Sequence, residues 1–370
     1  MIRVLHVVGG LSRGGTETTI MNLYRHIDRQ IIQFDFISHN IEMNDYEDDI
    51  RNLGGKIYHI PKFNGINIGK YVVEWNEFFA RHKEYSLLHS HVWSTASIFL
   101  PIAKKNGVYS IIHSHSVSAG DGLAAIGRGL LKPPIKYMAD YYMACTEEAG
   151  RWLFGNKIIQ GDHFSVLPNA IDTQLYRFNK VVRKSIREKY NVSDCIVIGH
   201  IGTFNTNKNQ AFIIELFKTI HQLKPQSVLW LIGDGKLKHS IENTVTDYKL
   251  SDHVVFWGIR NDIPDLLQAM DVFIFPSKHE SFGNAALEAE AMGIPTVCST
   301  NIPREAAADQ NVQYISLNEP ERWVEAITKC AEIEGRNYNN VIQGTKLDIK
   351  VTVKWLQDFY LKILEEKKGE

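Results

Sequence analysis

Cysteine is scarce, with four residues, Cys145, Cys195, Cys298 and Cys330, in a chain of 370. They are widely scattered, with no CxxC pair and no even spacing, which excludes a disulfide framework and points to reduced thiols of a cytoplasmic protein. An excess of one charge is also missing. Lys and Arg total 41 against 42 Asp and Glu, a formal net charge of -1. Nothing therefore draws the whole chain to nucleic acid, and an anionic partner must be held by a local site. Long apolar runs are absent too. The apolar run in the opening MIRVLHVVGG is too short for a signal-peptide core, and no run approaches a membrane span, so an integral membrane protein is excluded. What remains, 44% hydrophobic and 22% charged residues, is ordinary globular material, long enough for two domains.

The chain is organised around Phe273 to Pro295, FIFPSKHESFGNAALEAEAMGIP. The apolar, β-branched and aromatic run ending at Pro276 predicts a buried strand. The helix formers from Ala285 to Met292, closed by Gly293 and Pro295, predict a helix. The loop from Lys278 to Asn284 then lies at the carboxyl end of a strand and the amino end of a helix, where open α/β sheets bind ligands. A helix start suits phosphate, and Gly283 lets it approach. Glu288 offers two acceptors that suit a pair of ribose hydroxyls, and Glu280 fits sugar hydroxyls. The plain alternative is that both glutamates are solvated surface charges.

The same grammar opens the chain. Ile2 to Val8 reads as a buried strand, Gly9 to Gly15 as a loop, and Ile20, Leu23 and Ile27 recur at helical spacing after Thr16. Gly14 and Gly15 suit a diphosphate at a helix start or a plain turn, and the spacing is not the GxGxxG of dinucleotide enzymes, which disfavours an oxidoreductase. Further strands are predicted at 34–38, 56–60, 87–92, 109–113, 142–145 and 164–167, with helices between most of them, so a doubly wound parallel sheet is expected. Two strands end in HSHVW, holding His89, His91 and Trp93, and HSHS, holding His113 and His115. Residues two apart share a strand face, so these histidines form a metal site, a structural cluster or a substrate-contacting surface. Gly120 to Tyr137 mixes glycine, apolar residues and the basic Arg128, Lys132 and Lys136. It reads as a flap or as a surface that meets lipid.

After Leu167-Pro-Asn-Ala-Ile-Asp172 the chain breaks, and 181–190 is highly charged. A second alternating series follows, with strands at 196–201, 228–232, 254–257, 272–275, 296–298 and 314–316 and helices between them. Residues 352–366 predict an amphipathic helix through Val353, Leu356, Phe359, Tyr360 and Ile363. The expected organisation is a first Rossmann-like domain over 1–172, a second over 173–350, and a last helix over 351–370 returning to the first.

Glu280-Ser-Phe-Gly-Asn-Ala-Ala-Leu-Glu288 resembles the E-x7-E motif of retaining GT-B glycosyltransferases of family 4. GGTE at Gly14, the HSH ending at His115, LPNAID at Leu167, IGTFNTNKN at Ile201, LIGDGKL at Leu231 and WGIRNDIPDLLQAMDVFIFPS at Trp257 match the same family in order, over nearly the whole chain. ACTEEAGRWLFG at Ala144 is similar to capsule and exopolysaccharide enzymes.

The resemblance implies the GT-B fold, two Rossmann-like domains facing a central cleft. It implies a donor site of Gly14, Gly15, Thr203, Lys208, Arg260, Ser281, Phe282, Gly283, Asn284 and Glu288, with catalytic roles for His115, Glu280 and Lys208. Acceptor contacts fall to His91, Trp93 and Asn169. No metal or other cofactor is expected. Lys208 is to neutralise the donor diphosphate, Glu288 to hold the ribose and Arg260 to lie near the base. Thr203 stands where the family has an arginine, and Ala170 where it has a glycine, so Lys208 or another cation must carry the phosphate charge. The implied reaction is transfer from a nucleotide sugar, a UDP-hexose or UDP-N-acetylhexosamine, to a lipid-linked glycan at the inner membrane face, with retained configuration. A nucleotide-sugar epimerase of the same build and an inactive sugar-nucleotide scaffold are the competing readings.

Overall fold

Each apolar run becomes a strand in the computed structural model, which describes the chain except residues 41–44, 119–126, 128, 130, 309–310, 334–335, 337–339 and 370. The first seven are β1 (Ile2–Val8), β2 (Ile32–Ser38), β3 (Ile57–His59), β4 (Leu87–Ser90), β5 (Tyr109–Ser114), β6 (Tyr141–Ala144) and β7 (Phe164–Val166). They pair in parallel in the order β3-β2-β1-β4-β5-β6-β7. The next six are β8 (Ile196–Ile201), β9 (Ser227–Ile232), β10 (Val254–Gly258), β11 (Val272–Phe275), β12 (Thr296–Ser299) and β13 (Val312–Ile315). Their order is β10-β9-β8-β11-β12-β13, again parallel. Parallel strands buried on both faces need continuous apolar sequence, which is what these runs supply. Both sheets are doubly wound, and the fold is GT-B in type.

The chain divides into two compact units, Met1–Ala170 with Lys346–Glu370, and Ile171–Thr345. In the first unit one face of the sheet packs against the helix Gly15–His26 and the last helix, Ile349–Gly369. The other face packs against Ile68–Arg81 and Ala96–Lys105 around Trp75 and Phe99, whose rings stack at 4.6 Å. The last helix buries Val353, Leu356, Tyr360 and Ile363 in the core. Burial of side chains this size is worth about 1.5–3 kcal/mol each. Tyr360 also reaches His89 Nδ1 at 2.6 Å, so the helix is fixed by a polar contact as well as by its stripe.

The charged stretch after Asp172 is the helix Lys180–Lys189, begun by Asn179, whose side chain accepts from the Val181 and Val182 N–H groups. Arg183 and Arg187 donate to the last carbonyls of the helix Ile263–Ala269 and to Asp271. Cations satisfy the carbonyl end of a helix and its negative dipole end. Charge here serves packing within the second unit.

Candidate active site

In the second sheet β8 and β11 are neighbours, while the strands next in sequence, β9 and β12, lie on opposite sides of them. The chain therefore leaves the two strands in opposite directions and opens a crevice at their carboxyl ends, the usual ligand position in such sheets. Residues 202–209 follow β8 and 276–283 follow β11. Lys208 and Glu280 meet there: Lys208 Nζ donates to Glu280 Oε1 at 2.6 Å, with the two side chains 19% and 14% exposed. Lys208 Nζ also lies 4.5 Å from the centre of the Phe275 ring. A cation fixed by a carboxylate and a ring face has lost most of its rotamer freedom before any anion arrives, which is the preorganisation that charge stabilisation needs.

Glu288 lies one turn into the helix Asn284–Ala291, whose N-cap Gly283 has φ 111° and offers no side-chain cap. Only glycine adopts that left-handed backbone without strain, and the helix start is left to its own N–H groups. Burial pushes the Glu288 carboxyl up to about 7, against a hydrogen bond from Tyr176 that favours the ionised form. Phe282 is buried, while Ser281 and Asn284 keep part of their surface. Thr203 is exposed, and Gln210 Nε2 donates to its carbonyl at 3.0 Å. Arg260 bonds Asp262 through Nε at 2.7 Å and lies over Trp257, so its guanidinium is already engaged.

Three asparagines that sequence reasoning passed over build this geometry. Asn205 Oδ1 accepts from the Lys208 N–H at 2.9 Å and so shapes the turn that carries the lysine. Asn207 joins the two loops: its Nδ2 donates to the His279 carbonyl at 2.7 Å, and its Oδ1 accepts from the His279 N–H at 2.9 Å. Asn209 takes the left-handed backbone, φ 60°, just before the helix Gln210–Leu223. Alternation of Asn in N-T-N-K-N was the available signal, since Asn side chains make such local backbone bonds. Asn207→Ala is expected to lower stability by about 1–2 kcal/mol through loss of the contact between the two loops, read by chemical unfolding.

The first sheet has its own point of reversal, between β1 and β4. Gly14 caps the helix Gly15–His26 with no side-chain bond. The histidines of this sheet gather into one cluster. Register sets His6 of β1 opposite His89 of β4. His6 Nδ1 lies 3.0 Å from His91 Nε2, and His91 Nδ1 lies 2.9 Å from His115 Nε2. Burial pushes His6 and His115 down to about 3, and burial first, then mutual repulsion, holds His89, His91 and His113 well below the usual range. Two triads, His6–His89–His91 and His91–His113–His115, have ring nitrogens within 4.8 Å of one another, as a metal would require. His6, which sequence reasoning did not single out, completes the cluster. Trp93 packs edge-on to Trp152 at 5.2 Å, and Asn169 is buried.

Of Gly120 to Tyr137, half lies outside the described residues. Its last turn, Pro133–Tyr137, buries Ile135, exposes Tyr137, and is preceded by Lys132 over the Trp152 ring at 4.1 Å. Among the described residues no helix is long and apolar enough to cross a membrane.

Comparison with known proteins agrees with this architecture. Glycosyltransferase Family 4 matches residues 13–175, and Glycosyl transferases group 1 matches residues 182–347. The chain is 32% identical over 350 residues to "Putative glycosyltransferase EpsF" of Bacillus subtilis (strain 168), covering 93% of this chain and 91% of that one. It is 25% identical over 308 residues to the UDP-Gal:alpha-D-GlcNAc-diphosphoundecaprenol alpha-1,3-galactosyltransferase of Escherichia coli, covering 78% of each. The crystal structure of Anabaena Alr3699/HepE in complex with UDP-glucose superposes with TM-score 0.79 at 17% identity, over 98% of this chain and 100% of that one. Sequence, fold and relatives agree, and the chain belongs to the GT-B glycosyltransferases that join a Family 4 half to a group 1 half.

Proposed function

We propose that this chain transfers a hexose or N-acetylhexosamine from a UDP-sugar to a lipid-linked glycan, with retained anomeric configuration and no metal, in bacterial polysaccharide synthesis at the cytoplasmic face of the membrane. The observation that carries the reading is the Lys208–Glu280 pair at the sheet's reversal point, beside the uncapped start of the helix that bears Glu288. Support comes from relatives whose names include a UDP-galactose donor, a diphosphoundecaprenol acceptor and bound UDP-glucose.

In this reading the donor diphosphate lies against the helix start, with the backbone of 281–284 as its contacts. Cleavage of the sugar–phosphate bond builds negative charge on the leaving oxygen, and the Lys208 ammonium and helix N–H groups stabilise it. Glu280, held by Lys208, accepts from sugar hydroxyls rather than attacking carbon. No second carboxylate then supplies the nucleophile of a two-step retaining path. The acceptor hydroxyl attacks from the face the phosphate leaves, and its proton passes to the leaving phosphate oxygen. His115 is assigned to the reacting sugar, and His91, Trp93 and Asn169 to the acceptor. Incubating the protein with UDP-[14C]hexoses and an undecaprenyl-diphosphate sugar tests the reading. Label must appear in the lipid product with the donor's anomeric coupling by NMR; an inverted product would contradict the mechanism.

Glu288 makes binding depend on pH. The ionised carboxylate accepts from both ribose hydroxyls, and its free-protein pKa of about 7 is above the usual range, so affinity must rise with pH. A UDP-hexose does not itself titrate near neutrality. Its Kd is expected to fall about tenfold between about pH 6 and about pH 8, and Glu288→Gln to flatten that dependence, by calorimetry.

A further inference from the structure

The histidine cluster of the first unit has more ring nitrogens than the chain supplies with partners. His6 Nε2, His89 Nε2, both nitrogens of His113 and His115 Nδ1 are buried without a hydrogen-bond partner among the described residues, although the Leu167 backbone lies close to His113. The other nitrogens are engaged, in the His6–His91 and His91–His115 contacts and at Tyr360. Native proteins leave few buried polar atoms unpaired. So many in one cluster call for a group from outside the chain, either water or an ion.

Geometry and ligand chemistry favour the ion. The ring centres of His113 and His115 are 4.0 Å apart, and that of His91 lies 5.4 and 5.1 Å from them. One nitrogen from each of these rings falls within 4.8 Å of the other two. His91 Nδ1 and His115 Nε2 face each other at 2.9 Å. Two nitrogens on one tetrahedral ion, each bound at about 2.0–2.1 Å, stand about 3.3 Å apart, so these rings need part only slightly to replace a shared proton by a metal.

The triad His6, His89 and His91 has similar spacing. A neutral imidazole has one lone pair, however, so His91 serves one ion and the two triads compete. His6 and His89 are fully buried, and His115 is the one ring of the cluster that is not, so an ion entering there meets His91, His113 and His115 first. With His91 Nδ1 on the ion, its N–H sits on Nε2 and donates to His6 Nδ1 at 3.0 Å, the outer contact that ligating histidines make.

We propose that His91, His113 and His115 form a site for one late first-row transition-metal dication, Zn²⁺ above all, whose fourth ligand is water or an anionic oxygen. Neither triad includes a carboxylate, so Mg²⁺ and Ca²⁺, which take oxygen ligands, do not suit it. His91 and His115 are the rings assigned above to the acceptor and the reacting sugar. The bound ion therefore inhibits transfer, a consequence that rests on the transferase reading; the site itself does not.

Chelator-treated protein titrated with Zn²⁺ by calorimetry, with X-ray absorption at the zinc edge, tests the site. The expected result is one ion per chain with histidine nitrogens at about 2.0 Å. His115→Gln, at the partly exposed ring, and His113→Gln must each weaken binding more than about 100-fold, beyond the loss expected of an outer contact. His6→Phe, which removes that outer contact, must weaken it about 10- to 100-fold. His89→Gln, which strikes the other triad alone, must leave affinity unchanged. Near-UV circular dichroism checks each variant for folding, and if His113→Gln does not fold, His115→Gln decides. Bound Zn²⁺ is expected to abolish transfer by the unaltered protein, and EDTA to restore it. No Zn²⁺ binding, or surface binding that survives His115→Gln, overturns the site. Transfer that persists with the ion bound at the triad overturns the inhibitory consequence. Absence of transfer from metal-free protein that still binds Zn²⁺ would strike the transferase reading alone.

Discussion

Lys208→Ala is expected to lower kcat for sugar transfer about 10²–10³-fold, the loss typical when one preorganised stabiliser of developing charge is removed. The size follows from the surroundings. Thr203, exposed on the same loop, brings no charge, and the Arg260 guanidinium is bonded to Asp262. The ammonium of Lys208 is held at Glu280 and over Phe275 before donor binds, so its field requires little reorganisation. Lys208→Arg keeps the charge but not the fit to the ring, and is expected to keep part of the rate. Glu280→Gln frees the lysine and separates two roles: a loss in kcat larger than in donor affinity assigns Glu280 to the reacting sugar. Single-turnover rates on folded variants read these effects. A Lys208→Ala enzyme within threefold of the unaltered rate would contradict the assignment.

Acid should unfold the first unit well before the carboxylates titrate. His6 and His115 have pKa values pushed down to about 3, and His89, His91 and His113 lie well below the usual range, while an unfolded histidine titrates near about 6.5. Below about pH 6.5 the unfolded chain binds protons that the folded chain refuses. Stability then falls as pH falls, with a slope set by the difference in bound protons. A group shifted as far as His6 or His115 costs about 2 kcal/mol by about pH 5, a large share of the stability of a domain, and the other three act in the same direction. His39, also lowered by burial, acts in the same direction. In the second unit His200, pushed down to about 3, does so too, but Glu288, raised to about 7, opposes it. Urea unfolding followed at Trp75 and Trp93, both in the first unit, should show a midpoint that falls steeply between about pH 6.5 and about pH 5. A flat midpoint over that range would mean that the histidines take up protons in the folded state.

The strands were legible because parallel strands buried on both faces need uninterrupted apolar runs, as in Asp271-Val-Phe-Ile-Phe before Pro276. The loop after β11 was legible for a related reason: Gly283 and the helix formers after it mark where a strand hands over to a helix. The remainder depended on contacts distant in sequence. Asn207 and His279 are 72 residues apart, and nothing local in either shows that they bond. His6 looked like one more residue of a buried strand until register set it opposite His89. The helix Lys180–Lys189 has charges where a buried stripe would reveal it, because Arg183 and Arg187 are spent on Asp271 and on carbonyls more than 80 residues away. Periodicity reports which face is apolar, and is silent where the buried face is ionic.

The central claim, a nucleotide-sugar donor held by Lys208 and Glu288, is tested most directly by thermal unfolding with a panel of UDP- and GDP-sugars. A ligand at about 100 times its Kd stabilises the folded state by about 2.7 kcal/mol, enough to raise Tm by a few degrees. The account predicts a rise with one or a few UDP-sugars, abolished by both Lys208→Ala and Glu288→Ala. No shift with any nucleotide sugar, or a shift that survives both substitutions, would contradict it.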